Sequence, residues 1–319
     1  MKLQSLIGAI ALAVSAGGVQ AASSLNLANY QLTGNYALDT LGGIGLEASA
    51  VTYASDRNTL FFVGDEGLGV VEVSLTGQTL GSMAFNWAGT GSSNNDAEGL
   101  TYLGNGRLVV VDERPQVAYQ FTYSAGGSVA LNNQPKVAIT GSTASVGNVG
   151  TEGISVDPRD GSFYSVKQDN PAQLRKSTLD FAVGYGTAST TTLFSGSGSL
   201  FGLNSLSDVQ TLSAVDSLAG GAGADNLLIL SLDSKMLVEL TTAGQIVSSF
   251  DLSSVTQQAI EGVTVDTLGN IYLVAENNGS AYPNSRLFVL TPTAVPLPGA
   301  LWLFGSALAG ILAVRRKSA

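Results

Sequence analysis

The residues of this chain whose spacing points to shared chemistry are carboxylates. Glu-Gly pairs open three similar runs, at Glu98-Gly99, Glu152-Gly153 and Glu261-Gly262, and Ser49 and Gln210 begin two related runs. Each run is followed by a second apolar stretch, and these end at Asp65, Glu113, Gln168, Asp233 and Glu276. All of these positions carry a side-chain oxygen, and Glu47, Asp96 and Asp208 lie two residues before three of the run starts. Like charges gathered at one place repel and raise one another's pKa unless a cation neutralises them. Hard oxygen donors on a fixed rim suit Ca²⁺, which takes six to eight of them. The expected metal ligands are Glu98, Glu152 and Glu261 with Glu113, Asp233 and Glu276. The competing reading is that each Glu accepts backbone N–H groups of a neighbouring strand. Arg114 and Lys167, with Asp65, fall beside the ring and could hold an anionic ligand. For the two cations the alternative is an ion pair with Glu113 or Asp112.

The chain has no His and no Cys. That excludes imidazole bases, thiolate nucleophiles, disulfides and thiolate zinc sites. No P-loop and no G-x-S-x-G elbow is present. The Gly-rich stretch 220–223 reads as a flexible hairpin insertion. All 24 acidic residues lie between Ala22 and Ala294, against ten of the 14 Lys and Arg, so this part carries −14. Such a balance argues against nucleic acid, which needs a basic footprint.

The elements that must position these residues repeat. Runs starting at 49, 98, 152, 210 and 261 are each followed by a turn bearing Asn, Asp or Gly and a second β-branched run. "GVVEVSL", "VAYQFTY", "QLRKSTL", "MLVELTT" and "RLFVLTP" supply third strands. Thr79 to Phe85 and Ile246 to Leu252 are clear fourth strands. Four strands at a period near 50 residues indicate β-propeller blades. The expected fold is an all-β, five-bladed propeller spanning Leu46 to Pro292. The last copy lacks a fourth strand, and Asn26 to Leu38 forms a lone strand before the first. It is expected to pair with Arg286 to Leu290 and close the ring. Tyr53, Tyr102, Phe163 and Tyr272 read as packing between blades rather than as stacking platforms for a ligand.

The ends read differently. Residues 1–21 form a secretory signal, with Lys2, an apolar stretch from Leu6 to Ala16 and a small-x-small site at Val19-Gln20-Ala21. The propeller domain occupies 22–294. Residues 295–319 run through Val295-Pro296-Leu297-Pro298-Gly299 and an apolar stretch to Val314, then Arg315-Arg316-Lys317. The apolar stretch is just long enough to span a bilayer as a helix, with the basic cluster cytoplasmic.

Two resemblances follow from these residues. "DAEGLTY" at 96–102, "VVVDER" at 109–114, "EGISVD" at 152–157, "KQDNP" at 167–171, "LSDV" at 206–209, "LLILS" at 227–231 and "IEGVTVDTLGNIYLVAE" at 260–276 resemble the SdiA-regulated family of periplasmic propellers. The Glu-Gly starts are also similar to those of other secreted calcium-binding propellers, including esterase-like phytase relatives. The family resemblance implies a propeller with a calcium-type site and supplies no reaction. The tail resembles a PEP-CTERM sorting signal of the Val-Pro-Leu-Pro-Ala type, with Gly299 in place of the usual Ala. It implies transient inner-membrane insertion, processing by an exosortase-type enzyme, and delivery to the cell surface or extracellular matrix. The expected protein is a monomeric, exported, calcium-binding module for a ligand, an exopolysaccharide or another matrix component. The alternative is a calcium-dependent hydrolase of a phosphoester, ester or lactone, with a metal-bound water as nucleophile and a Glu as base.

Overall fold

The computed structural model describes residues 22–92, 95–277 and 279–293. The signal sequence expected over 1–21 and the membrane helix expected over 297–314 lie outside the described residues. No helix among the described residues is long and apolar enough to cross a membrane.

Five sheets form five blades, and their first strands neighbour one another in a closed ring. Blade 1 comprises Ala48–Ala54, Thr59–Gly64, Gly69–Val73 and Thr79–Asn86; blade 2 comprises Ala97–Gly104, Arg107–Asp112, Val117–Thr122 and Lys136–Ala138. Blade 3 comprises Thr151–Val156, Phe163–Lys167, Ala172–Asp180 and Thr187–Gly196; blade 4 comprises Asp208–Thr211, Leu227–Ser231, Met236–Leu240 and Ile246–Asp251. Blade 5 uses Ile260–Val265, Ile271–Ala275 and Arg286–Pro292, and its outer strand is the N-terminal Tyr30–Ala37. The register of that closing pair runs from Tyr30 opposite Pro292 to Ala37 opposite Arg286. The ring therefore closes as the sequence leads one to expect, and it leaves no open first or last blade.

Each blade is covered on both faces by its neighbours, which is why second strands such as "TLFFVG" and "LLILS" are mostly apolar and buried along their whole length rather than alternating. The turns between them match their residues. Asn105 and Gly106 both have positive φ, at 56° and 74°, the combination that a tight hairpin favours. Blade 2 departs from the simple repeat. After its third strand the chain first adds Ser128–Ala130 in parallel to the edge of blade 1, and only then returns as a three-residue outer strand. The Gly-rich insertion is not a free loop: it forms two short 3-10 turns, and a Cβ on Gly223 would lie 2.7 Å from the Ser23 backbone.

A belt of side chains ties the blades together inside the channel. Tyr102 N–H donates to Thr52 Oγ1, Val156 N–H to Thr101 Oγ1, and Thr211 N–H to Ser155 Oγ, each at 3.1 Å. Thr264 Oγ1 donates to Gln210 Oε1 at 3.0 Å, and Tyr53 N–H donates to Thr264 Oγ1 at 3.1 Å. Every blade thus lends one polar side chain to the next, and the circuit closes.

Candidate cation site at the channel mouth

The Glu-Gly signature has a structural cause. The pairing of first and second strands skips one residue between Ala48 and Ala50, Ala97 and Gly99, Thr151 and Gly153, and Ile260 and Gly262. Ser49, Glu98, Glu152 and Glu261 are the extra residues of four equivalent β-bulges, which turn their side chains out of the ladder. The glycine after each Glu permits the next blade to come close. A Cβ on Gly99 would meet Glu152 O at 3.2 Å, one on Gly153 would meet Asp208 Oδ1 at 2.3 Å, and one on Gly262 would meet Ser49 O at 2.8 Å. Bulge and glycine together bring the carboxylates of three blades to the axis.

The second-strand ends join them. The N–H groups of Asp65, Glu113 and Glu276 bond to the carbonyls of Glu47, Asp96 and Ala259, each just ahead of its blade's first strand. Asp65, Asp96 and Glu98 each offer an oxygen within 4.8 Å of the other two. Gly150 N–H donates to Glu113 Oε1 at 2.7 Å. Glu113 is only 1% exposed; its Oε2 meets no N–H or hydroxyl donor among the described residues, and the Glu152 carboxyl is the group that can share a proton with this side chain.

The electrostatics follow from this crowding. Burial pushes the Glu98 carboxyl well above its ordinary range, and Glu261, Asp65, Glu113 and Asp96 add to the shift. Burial followed by the charges of Glu98 and Glu113 does the same to Glu152. Glu261 is pushed up to about 8 by burial and then by Glu276, and Glu276 to about 7 by burial and then by Glu47. Burial also raises Glu113 and Asp65. A group of this kind holds protons at neutral pH, or it holds a cation.

The expected ligands therefore divide. Glu98, Glu152, Glu261, Glu113 and Glu276 share one mouth, and Asp65 and Asp96 belong with them more closely than the sequence register suggested. Asp96 lies two residues before Glu98, and Asp65 holds the same place in blade 1 as Glu113 in blade 2; both signals were legible. Blade 4 departs from the expected register. Opposite Leu230, at the position of Gly262 opposite Val274, stands Asp208, so Ser207 takes the Glu position and Gln210 lies three residues further along, in the polar belt. Leu232 fills the place expected for Asp233, and Asp233 is exposed in the following turn. Asp208 is itself buried; its two oxygens accept from Val209 N–H at 2.7 Å and Val263 N–H at 2.8 Å, so it braces blade 4 against blade 5. Arg114 pairs with Asp96 and reaches Asn148, in place of the expected Glu113 or Asp112. The Lys167 ammonium donates to Asp169 O, and burial lowers its pKa.

The family model described as SdiA-regulated matches residues 22–279, and the PEP-CTERM protein-sorting motif matches 294–317. Among solved structures, a catalytically inactive virginiamycin B lyase from Staphylococcus aureus, crystallised with quinupristin, is 11% identical with a TM-score of 0.40, over 76% of this chain and 66% of the lyase. A luciferin-regenerating enzyme is 10% identical with a TM-score of 0.47, over 82% of this chain and 95% of its own. A chain of a nidogen/laminin complex is 12% identical with a TM-score of 0.42, over 72% of each chain. At such identities and scores these likenesses carry no inference about chemistry.

Proposed function

The chain belongs to the SdiA-regulated family and ends in a PEP-CTERM sorting motif, and from that premise we propose that it is an exported, surface-sorted propeller whose acidic mouth binds one Ca²⁺ and, with it, a ligand or matrix component. The observation that carries this reading is the convergence of the Asp65, Asp96 and Glu98 oxygens within 4.8 Å of one another, among buried carboxyls that raise one another's pKa. A buried anionic oxygen left unpaired is costly. A hard divalent ion offers the charge that Arg114, already shared between Asp96 and Asn148, does not supply alone. Asp65, Asp96, Glu98 and Glu113 would hold it, with Glu152, Glu261 and Glu276 around them. Blades 3 and 4 give the rim no matching carboxylates from their second strands. The 7%-exposed Lys167 stands on that side, suited to an anionic group of the ligand. A carboxylated or otherwise anionic exopolymer fits both halves of the mouth. Sorting by an exosortase-type enzyme would deliver the domain to such a matrix.

The test is calorimetry on the exported protein after EDTA treatment and dialysis. One calcium ion per chain should bind, and Glu98→Gln should weaken binding at least about tenfold, as expected on loss of a charged contact. Native protein with no bound metal by mass spectrometry and no heat with calcium would show that the carboxyls are protonated structural groups.

A further inference from the structure

The channel has a second mouth, at the far ends of the first strands, beyond the polar belt. It forms a cavity of about 470 Å³ lined by residues of all five blades, with an arm that reaches outward between blades 2 and 3. Among the described residues, the buried cluster joining these two blades is the smallest of the five. Phe163, Leu179 and Phe181 form the blade 3 wall, with the two rings edge to face at 6.0 Å. Leu103, Gln120 and Arg107 form the blade 2 wall. Arg107 and Gln120 lie on one face of that blade, because Gln120 pairs with Val109, two residues along the strand from Arg107.

Arg107 differs from the other cations. Among the described residues, Arg57, Arg114, Arg159 and Lys176 pair with carboxylates, and Lys136, Lys167, Arg175, Lys235 and Arg286 donate to side-chain or backbone oxygens. Arg107 has no hydrogen bond or ion pair with any described residue. Arg107 is exposed at the lip of the cleft, so its guanidinium is open to a ligand that enters there. Its planar fork suits a carboxylate. The walls suit an apolar body, and the cavity falls in the size range of small-molecule sites.

We propose that the cleft between blades 2 and 3 binds a small amphipathic carboxylate, with its apolar part against Phe163, Leu179 and Phe181 and its carboxylate on Arg107. The acidic ring lies at the other end of the channel, and the carboxylates at this end are engaged: Asp56 by Tyr102 O–H and Asn105 N–H, Asp157 by Arg159 and Asp266 by Tyr272 O–H. This site does not depend on calcium.

Octanoate and octanamide share a chain and differ in charge, so their affinities for the intact exported protein isolate the Arg107 contact. Titration calorimetry should show one site that prefers octanoate by at least about tenfold, the usual weight of a charged hydrogen bond. Arg107→Gln should bind both ligands equally, whereas Lys235→Gln, which removes a distant charge, should keep the preference. Gln120→Trp, which fills the cleft from a half-exposed position, should weaken both. Glu98→Gln should leave all of this unchanged, which separates failure here from failure of the calcium site. The proposal falls if native protein shows no saturable single site, if it does not discriminate the two ligands, or if the discrimination survives Arg107→Gln.

Discussion

A carboxylate that gives up its water must find a proton, a donor or a cation, and Glu98 sits where all three compete. Burial comes first among the causes that raise its pKa, and four other carboxyls follow. Replacing it by Gln keeps the shape and removes one member of the repelling set. In metal-free protein, Glu98→Gln should therefore melt higher than the parent. A gain of about 1 kcal/mol corresponds to roughly 2–4 °C for a domain of this size. The same change should abolish the upward shift that calcium gives the parent, since the ion then loses a ligand. Differential scanning calorimetry with and without EDTA reads both effects, and a metal-free variant that melts lower would mean that Glu98 is held by donors rather than strained. At this scale the sequence was informative wherever Glu and Gly adjoin, because a bulge residue aimed at the axis and a glycine under the next blade leave a two-letter mark. It was uninformative in blade 4. There the mark is replaced by Ser207-Asp208, and Leu206, Val209 and Leu212, three residues apart, do not fix a period-two register. A slip by an odd number reverses every side chain, which is how Gln210 and Asp233 came to be read as rim residues.

The elements explain why those glycines cannot be exchanged. In Gly153→Ala the new Cβ would lie 2.3 Å from Asp208 Oδ1 and 2.5 Å from Asp208 Cα, and a backbone atom cannot move aside as a side chain can. First strands 3 and 4 would have to part, and with them the two N–H bonds that Asp208 accepts. A loss of about 3 kcal/mol or more is expected, at the upper end for single substitutions, and urea unfolding of the variant measures it. A milder cut tests the polar belt. Thr101→Val keeps the volume and β-propensity but leaves Val156 N–H without its acceptor, which should cost about 1–3 kcal/mol. If this variant is as stable as the parent, the belt is incidental to blade packing. Strand order and hairpins were legible from β-branched runs and turn residues. The belt was not, because a lone Thr or Ser in a strand looks the same whether it faces a neighbour's backbone or solvent. Nor was the parallel addition of Ser128–Ala130 to blade 1, which depends on where a chain leaving one blade finds the nearest open edge.

At the scale of the whole molecule, the first and last described strands meet in one sheet, and a shortage of positive charge is concentrated at one mouth. Closure by Tyr30–Ala37 was legible because a missing fourth strand and an orphan strand are complementary absences. Removing residues up to Leu38 should leave the Arg286–Pro292 edge bare and the cluster around Leu27 and Tyr30 open. Light scattering should then show more association than the intact domain does. The charge has a different consequence, which follows from proton linkage. Glu261 and Glu276 titrate near 8 and 7 in the fold against an ordinary value of 4.5, so between these values the folded chain binds protons that the unfolded chain has released. Stability from these groups is complete below the ordinary carboxyl pKa and is lost as pH rises through 7 and 8. Carboxyls held low, such as Asp157 beside Arg159 and Asp160 bonded by Ser162, act in the opposite sense, losing stability only as pH falls below their ordinary range, outside this window. EDTA-treated protein should therefore melt at steadily lower temperature from about pH 5 to about pH 8.5. Calcium should flatten that slope, because a bound cation stabilises the ionised ring that high pH creates, and its own stabilising effect should grow with pH as protons cease to compete. A melting temperature that rises across this range without metal would show that the ring is solvated enough to ionise freely. A slope unchanged by calcium would show that the ion, if it binds at all, does so away from these carboxylates.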